Sequence, residues 1–362
     1  MSIYIDNKQI PRVDLTKDLF LNRLTILYGP SGSGKSVLIR TIVNSLLEKI
    51  PIGFVCCPTA RSNGDYDNIF PSAAVHDDLT ASLMQKIFKR QKSMIDMYNL
   101  VRDVNAIRPL YECVKDYQTD ARIQKNTKKM DEARYEIPRN MEENESIPAL
   151  QELENVYNEG IVILMRRCIN RSINDISNRL RLTELQQAMI KNFNINPNIL
   201  LIVDDCAARI KEWKDLTETK ELFFQGRHMR TTVVLTMQSE SLIPPPLRIN
   251  AHINIFTTRQ IATVYFKKET NGLTTDDRKF LDKVAAAIFA QDEDGKPNFK
   301  KMVSFGQLIK TEHKIQFIIG DMRKKRFGSS AFWKIHESLI SQLHQKEDRD
   351  FMRMFDIKKD QN

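Results

Sequence analysis

The residues Gly29-Pro30-Ser31-Gly32-Ser33-Gly34-Lys35-Ser36 match the pattern G-x-x-x-x-G-K-[ST] at every fixed position. These residue types at this spacing suit phosphate. Glycines let the backbone turn tightly, so that several N–H groups converge on an anion. A helix starting at the end of the loop adds the partial positive charge of its N-terminus. Lys35 can neutralise β- and γ-phosphates, and Ser36 can offer its hydroxyl to Mg²⁺. The flanks agree with this reading. Leu24–Tyr28 reads as a short buried strand, and Leu38, Ile42 and Leu46 follow at helical spacing. A glycine-rich turn that binds nothing is the bland alternative, and strand, loop and helix in this order argue against it.

A second element lies far downstream. Asn198-Ile199-Leu200-Leu201-Ile202-Val203-Asp204-Asp205-Cys206 is an apolar strand ending in two acids. An NTPase needs such a strand beside its phosphate loop. Asp204 would hold Mg²⁺ through its water shell, and Asp205 would orient or deprotonate an attacking water. Both acids sit at a strand C-terminus, where α/β sheets place their ligands. An ordinary strand with an acidic turn is the competing reading. A third strand, Thr232–Met237, ends at Gln238, an amide suited to the γ-phosphate or the attacking water. Just before it, Gln225-Gly226-Arg227-His228-Met229-Arg230 puts cations on a connecting turn. Arginine spreads charge on a phosphoryl group in the transition state, from its own subunit or a neighbour's. Arg227 is the first choice for that role; Arg230, Arg248 and Arg259 are rivals, and a solvated basic loop is the plain alternative.

The elements that must carry these residues follow from the pattern. Ile52–Cys57 is a second strand after the Leu38–Leu46 helix, which makes a βαβ unit and hence a parallel sheet. Residues 60–76 read as an irregular loop, and 79–103 as an amphipathic helix. Residues 115–146 are dense in charge, either helical and exposed or partly disordered. Residues 150–193 return to helical periodicity, with Ile169, Ile173, Ile176 and Leu180 on one face. The expected organisation is an ATPase core over residues 1–260, with a mainly helical insertion at 58–197, and an α+β extension over 261–362. Within that extension the pattern predicts strands at Met302–Phe305 and Ile315–Ile319, a helix near 276–290, and a last helix from Ser330. The 362 residues, 41% of them hydrophobic, are enough for a large α/β core. A net charge of +9 permits a nucleic-acid partner. The five cysteines form no C-x-x-C pair and read as small buried residues in a reducing compartment. No leader peptide and no membrane-spanning stretch is expected.

Taken together, these motifs resemble the FtsK/HerA superfamily of ring ATPases, and more closely the DNA-packaging ATPases of large nucleocytoplasmic DNA viruses. The resemblance rests on Gly29–Ser36, Leu200–Cys206, Phe224–His228 and Gln238, with Cys57-Pro58-Thr59 and Leu247–Ala251 in support, over roughly residues 20–260. It implies a RecA-like core, ATP and Mg²⁺ as cofactors, and hydrolysis of ATP to drive double-stranded DNA into a capsid without regard to sequence. It also implies a homo-oligomeric ring of about five or six subunits, a capsid or virion-membrane protein as docking partner, and a place at the viral assembly site in host cytoplasm or in the virion. Many members of the superfamily carry Asp-Glu where this chain has Asp204-Asp205, and the shorter side chain changes the reach of the second acid. A nucleoside or small-molecule kinase is the alternative, although paired acids and a strand ending in Gln suit water activation better. A GTPase switch lacks its Asn-Lys-x-Asp element here. A virion structural protein with a vestigial loop is disfavoured by the intact Lys35 and both acids.

Overall fold

The computed structural model describes residues 3–319, apart from 11, 13–17, 67–68, 173–181, 207–208, 210–211, 213–215, 272, 291–300 and 306–314. The helical face expected through Ile173, Ile176 and Leu180, and the last helix from Ser330, lie outside the described residues. The chain divides into two compact units. One runs to Gln91 and resumes at Pro197; the other spans Lys92–Asn196.

The first unit is built on a sheet of eight strands. These are β3 (Leu24–Tyr28), β4 (Ile52–Cys56), β5 (Val75–His76), β6 (Ile199–Val203), β7 (Thr231–Met237), β8 (Ile253–Phe256), β9 (Lys301–Phe305) and β10 (Ile315–Ile319), in the order β10-β9-β8-β3-β7-β6-β4-β5. From β8 to β5 all neighbours are parallel; β9 and β10 are added antiparallel. A separate hairpin, β1 (Ile3–Ile5) with β2 (Lys8–Ile10), precedes it. This is the α/β fold expected, a mainly parallel RecA-like sheet. The residues beyond 260 add strands to the same sheet.

Strands covered on both faces should be apolar throughout, and β3, β6, β7 and β8 are buried at every position. Their alternate residues feed two cores. Ile26, Tyr28, Leu201, Val203, Val233 and Leu235 face one layer, while Leu27, Leu200, Ile202 and Val234 face the other. Helix α1 (Lys35–Leu46) covers the second face with Leu38, Ile39, Ile42 and Val43. Helices α10 (Arg259–Lys267) and α11 (Thr275–Ile288) cover the first with Tyr265, Phe266, Val284 and Ile288. Thr258 caps α10 and Thr274 closes a capping box on α11, so both helices start where their side chains satisfy orphan N–H groups.

The second unit is helical. It takes up the later half of α3 (Ala81–Leu100) and contains α4 (Val104–Glu112), α5 (Tyr117–Asn140), α6 (Glu143–Arg171) and α7 (Glu184–Lys191). Met97, Ile107, Tyr111, Ile161, Met165 and Phe193 form its core. The charge-dense stretch from residue 115 is a helix. Asp116 caps it by accepting from the Thr119 N–H at 2.7 Å, and Arg134 pairs with Glu154 of α6 at 2.9 Å.

The stretch read as irregular after β4 holds more structure than its composition suggests. It contains α2 (Ala60–Asn63) and the two-residue strand β5, too short to leave a periodic signal. It also brings Phe70 over β4. A Cβ on Gly53 would lie 2.5 Å from Phe70 Cε1, so the bare backbone at Gly53 is what lets the ring pack. Gly53→Ala is therefore expected to cost about 1–3 kcal/mol through overpacking. Thermal melting should show a lowered midpoint, partly recovered by adding Phe70→Leu.

Candidate active site

Because β3, β7 and β6 are parallel neighbours, their C-terminal ends share one edge of the sheet. From β3 the chain enters the glycine loop. The Gly29 N–H donates to the Met237 carbonyl of β7 at 2.9 Å, which ties the loop to the strand that ends at Gln238. Gly32 and Gly34 have φ of +74° and +90°, left-handed values that favour glycine, and at Gly29, the other fixed glycine, a Cβ would collide with the Thr257 and Ser33 hydroxyls. Lys35 is the first residue of α1. Its Nζ is buried and donates to the carbonyls of Gly29 and Pro30, each at 2.9 Å. The loop thus wraps its own ammonium while Pro30, Ser31 and Gly32 stand exposed at the tip and Ser36 is half-buried. Ser33 donates to the Pro30 carbonyl at 2.8 Å and accepts from Thr257 Oγ1 at 2.8 Å. Thr257 follows β8, so the loop is braced from both neighbouring strands.

At the end of β6 the two acids part company. Asp204 is buried, its N–H donating to the Cys56 carbonyl of β4 at 2.9 Å. Its carboxylate accepts from Tyr66 Oη at 2.7 Å on one oxygen and from Thr236 Oγ1 on the other. The Cys57 thiol points at the Tyr66-bonded oxygen from 3.9 Å. Burial, then the neighbouring Asp204 charge and their hydrogen bond, push the Tyr66 phenol far up. Asp205 is exposed with φ of +55°, unusual for an aspartate, and its N–H donates to Thr236 Oγ1 at 3.0 Å. One threonine hydroxyl therefore fixes both acids. Non-glycine residues held in this region cost free energy and cluster at functional sites. Gln238, exposed, lies two residues beyond Thr236 at the same edge.

The predicted residues separate into two groups. Gly29–Ser36, Asp204, Asp205 and Gln238 meet at one edge. Arg227 and Arg230 precede β7 and lie at the opposite edge, a strand length of about 20 Å away. Arg248 is buried in α9 (Pro245–Ile249), its Nη2 donating to Thr270 Oγ1 at 3.3 Å. Arg259 opens α10 directly after β8, exposed and on the phosphate-loop edge. The sequence reading did not single out Tyr66, Thr236 or Thr257. Nothing in the sequence marks Thr236 out, since β7 also carries Thr231 and Thr232.

Among the described residues no group of three or more His, Cys, Asp or Glu could hold a metal ion by itself. Of the residues expected to hold Mg²⁺, Asp204 is buried after β6 and Ser36 is half-buried at the start of α1.

Fold and site define a P-loop NTPase architecture: a phosphate loop after the central strand, and paired acids two strands over. No protein-family model matches the chain. Its relatives are proteins of large DNA viruses. It is 25% identical over 347 residues to an uncharacterized protein, B354L, of African swine fever virus, covering 92% of each chain. It is 23% identical over 242 residues to an uncharacterized protein of Acanthamoeba polyphaga mimivirus, 67% of this chain and 54% of the other. Among solved structures, it is similar to a genome packaging NTPase, B204, from Sulfolobus turreted icosahedral virus 2 in complex with AMPPCP. There the identity is 12%, the TM-score 0.34, and the coverage 82% of this chain and 96% of the other. The pCW3 conjugation coupling protein TcpA with ATPgS matches at 12% identity and TM-score 0.34, over 87% and 65% of the two chains.

Two outcomes follow from the site. Thr236→Val removes one donor from a buried carboxylate and an acceptor from the Asp205 N–H, so it should cost about 1–3 kcal/mol. Thr236→Ser should keep most of that stability, as read from melting midpoints. For Tyr66 the folded-state pKa is raised, so its contribution is present below the free phenol value near 10 and is lost as pH rises beyond it. Stability measured above that pH should fall less steeply in Tyr66→Phe.

Proposed function

We propose that this chain is an ATP-driven motor that moves double-stranded viral DNA into a capsid, hydrolysing ATP to ADP and phosphate. The observation that carries the hydrolytic part is the gathering of the phosphate loop, the Asp204–Asp205 pair and Gln238 at one sheet edge, with Asp205 exposed in a strained backbone conformation. An exposed acid beside a phosphate loop suits activation of water rather than transfer to a metabolite hydroxyl, which disfavours the kinase reading.

Each residue then has a task. Backbone N–H groups of Gly29–Gly34 and the α1 N-terminus hold the phosphates, and Lys35 exchanges its two carbonyl partners for phosphate oxygens. Ser36 and Asp204 hold Mg²⁺, which when bound offsets charge on the β- and γ-phosphates. Asp205 accepts the proton of the attacking water, and Gln238 orients that water. Arg227 cannot reach the phosphates of its own chain, so its role belongs to a neighbouring copy in a ring. Such a finger contributes roughly 10³–10⁵ in turnover.

The helical unit supports the DNA part. Arg166 lies over the Phe193 ring and donates to Asn194 at 3.2 Å, and Arg102 lies 3.7 Å over the Tyr98 ring. Burial and then the nearby Arg102 charge lower the Arg166 pKa, so the two cations lie close together. Further along the same stretch of the chain, Arg171 is paired with Asp116 at 3.0 Å. A motor must pass every sequence, so it should grip phosphates and not base edges.

The decisive experiment is an ATPase assay with and without long duplex DNA. Stimulation by DNA is expected, and stimulation by a nucleoside instead would favour a kinase. Lys35→Ala should abolish turnover and weaken nucleotide binding, while Asp205→Asn should bind ATP and hydrolyse slowly. Normal turnover in both would overturn the site. DNA affinity should fall with salt by a slope of about 0.9 per phosphate neutralised, and Arg102→Gln with Arg166→Gln should lower that slope by about 2.

A further inference from the structure

Three neighbouring strands, β8, β3 and β7, begin at the edge of the sheet opposite the phosphate loop, and each is entered through a cation or an imidazole. Arg23 precedes β3, His252 precedes β8, and Arg227 lies on the turn that leads into β7. Their backbones are locked. The His252 N–H donates to the Leu24 carbonyl at 3.0 Å, the Val233 N–H to the Arg23 carbonyl at 2.9 Å, and the Thr231 N–H to the Gly226 carbonyl at 3.0 Å. The Arg230 N–H closes the turn onto the Arg227 carbonyl at 3.1 Å. The backbones of Arg23 and His252 are thus anchored by strand pairing, and that of Arg227 by the turn that Gly226 and Arg230 close.

Their charges do not cancel. Among the described residues neither Arg23 nor Arg227 has an acidic partner within ion-pair distance. Burial, then the Arg227 charge, lowers the pKa of Arg23. Burial, then Arg23, then Arg227, lowers that of His252. His252 Nδ1 accepts from the Leu24 N–H at 3.2 Å, so in the neutral ring the proton sits on Nε2 and makes it a donor. Arg23 and His252 are half-buried and Arg227 is exposed, and two guanidiniums beside an imidazole N–H at adjacent strand starts offer an anion several donors at once. Two planar forks and a third donor suit a tetrahedral, multiply charged oxyanion better than a single carboxylate. That anion does not come from the chain's own phosphate loop, because β3 separates Arg23 from Gly29 by about 20 Å.

We propose that Arg23 and His252 complete, with Arg227, one oxyanion site that takes the terminal phosphoryl group of a nucleotide held by a second copy of this chain. This rests on the reading of Arg227 as a residue that acts on a neighbouring subunit. It adds a second arginine and a fixed imidazole donor, so that hydrolysis in one copy depends on the strand ends of the next.

The test uses the full-length chain with Arg23→Gln, Arg23→Lys, Arg227→Ala and Lys35→Ala, each assayed for ATPase alone and in pairwise mixtures, with binding of a non-hydrolysable ATP analogue as a parallel readout. Arg23→Gln and Arg227→Ala should each bind the analogue and lose at least tenfold in turnover. Each should regain activity when mixed with Lys35→Ala, because some interfaces then pair an intact loop with an intact site. Mixed with each other they should stay inactive, since every site lacks one arginine. Arg23→Lys should fall between, as it keeps the charge and loses the fork; it also supplies the reading if Arg23→Gln fails to bind the analogue. If Arg227→Ala is inactive and rescued while both Arg23 variants turn over normally, Arg23 is not part of the site and the trans reading of Arg227 stands. If neither variant is rescued by Lys35→Ala in demonstrably mixed assemblies, the trans reading itself falls. If turnover is retained and affinity for a short DNA duplex drops instead, the phosphate comes from nucleic acid and the proposal is overturned.

Discussion

The Asp204 carboxylate is the point on which the site depends. A buried carboxylate is tolerable only when its lone pairs are met, and here a tyrosine and a threonine hydroxyl meet them. Those donors come from different parts of the chain, the stretch after β4 and the end of β7. The acid therefore fixes where three segments lie relative to one another. Thr236 passes the constraint on by accepting from the Asp205 N–H, which holds the exposed acid in its left-handed conformation. From Met237, the next residue along, the Gly29 contact carries the same constraint to the phosphate loop. Position at this edge is thus set by a short chain of hydrogen bonds.

Much of this edge was legible in the sequence because each part is local. Gly29, Gly34 and Lys35 announce themselves by spacing, and the left-handed φ of Gly34 gives that glycine its reason. Asp204 and Asp205 were readable as acids ending an apolar run. What could not be read is what the acids touch. Tyr66 sits in a polar stretch with no period, and it reaches a residue 138 positions away. Nothing in its neighbours encodes that distance. The placement of Arg227 has the same character. Its type suggested a phosphoryl contact, but only the direction of β7 puts it at the far end of the sheet. The residues beyond 260 were recognised as two strands and a helix, while their membership of the central sheet follows from pairing between β8 and β9, a long-range event.

The cysteines show how composition and position work together. Cys56, Cys57 and Cys206 flank the paired acids, and burial pushes their thiols up, Cys206 to about 12. A thiol that holds its proton is a poor nucleophile and a poor metal ligand. These side chains serve as small buried groups beside Asp204.

One feature of the sheet bears on behaviour in concentrated solution. Strand β5 pairs with β4 at Val55 and Cys56, so among the described residues no strand lies beside the first half of β4 on that side. An uncovered run of backbone donors and acceptors is a template for pairing with another chain. The Phe70 ring does not close that margin, because it lies where a Cβ on Gly53 would point, over a face of the sheet. What limits pairing here is length, because the unpaired run is Ile52–Phe54. So short a run seats a foreign strand poorly, and growth of disordered aggregates through this margin is disfavoured.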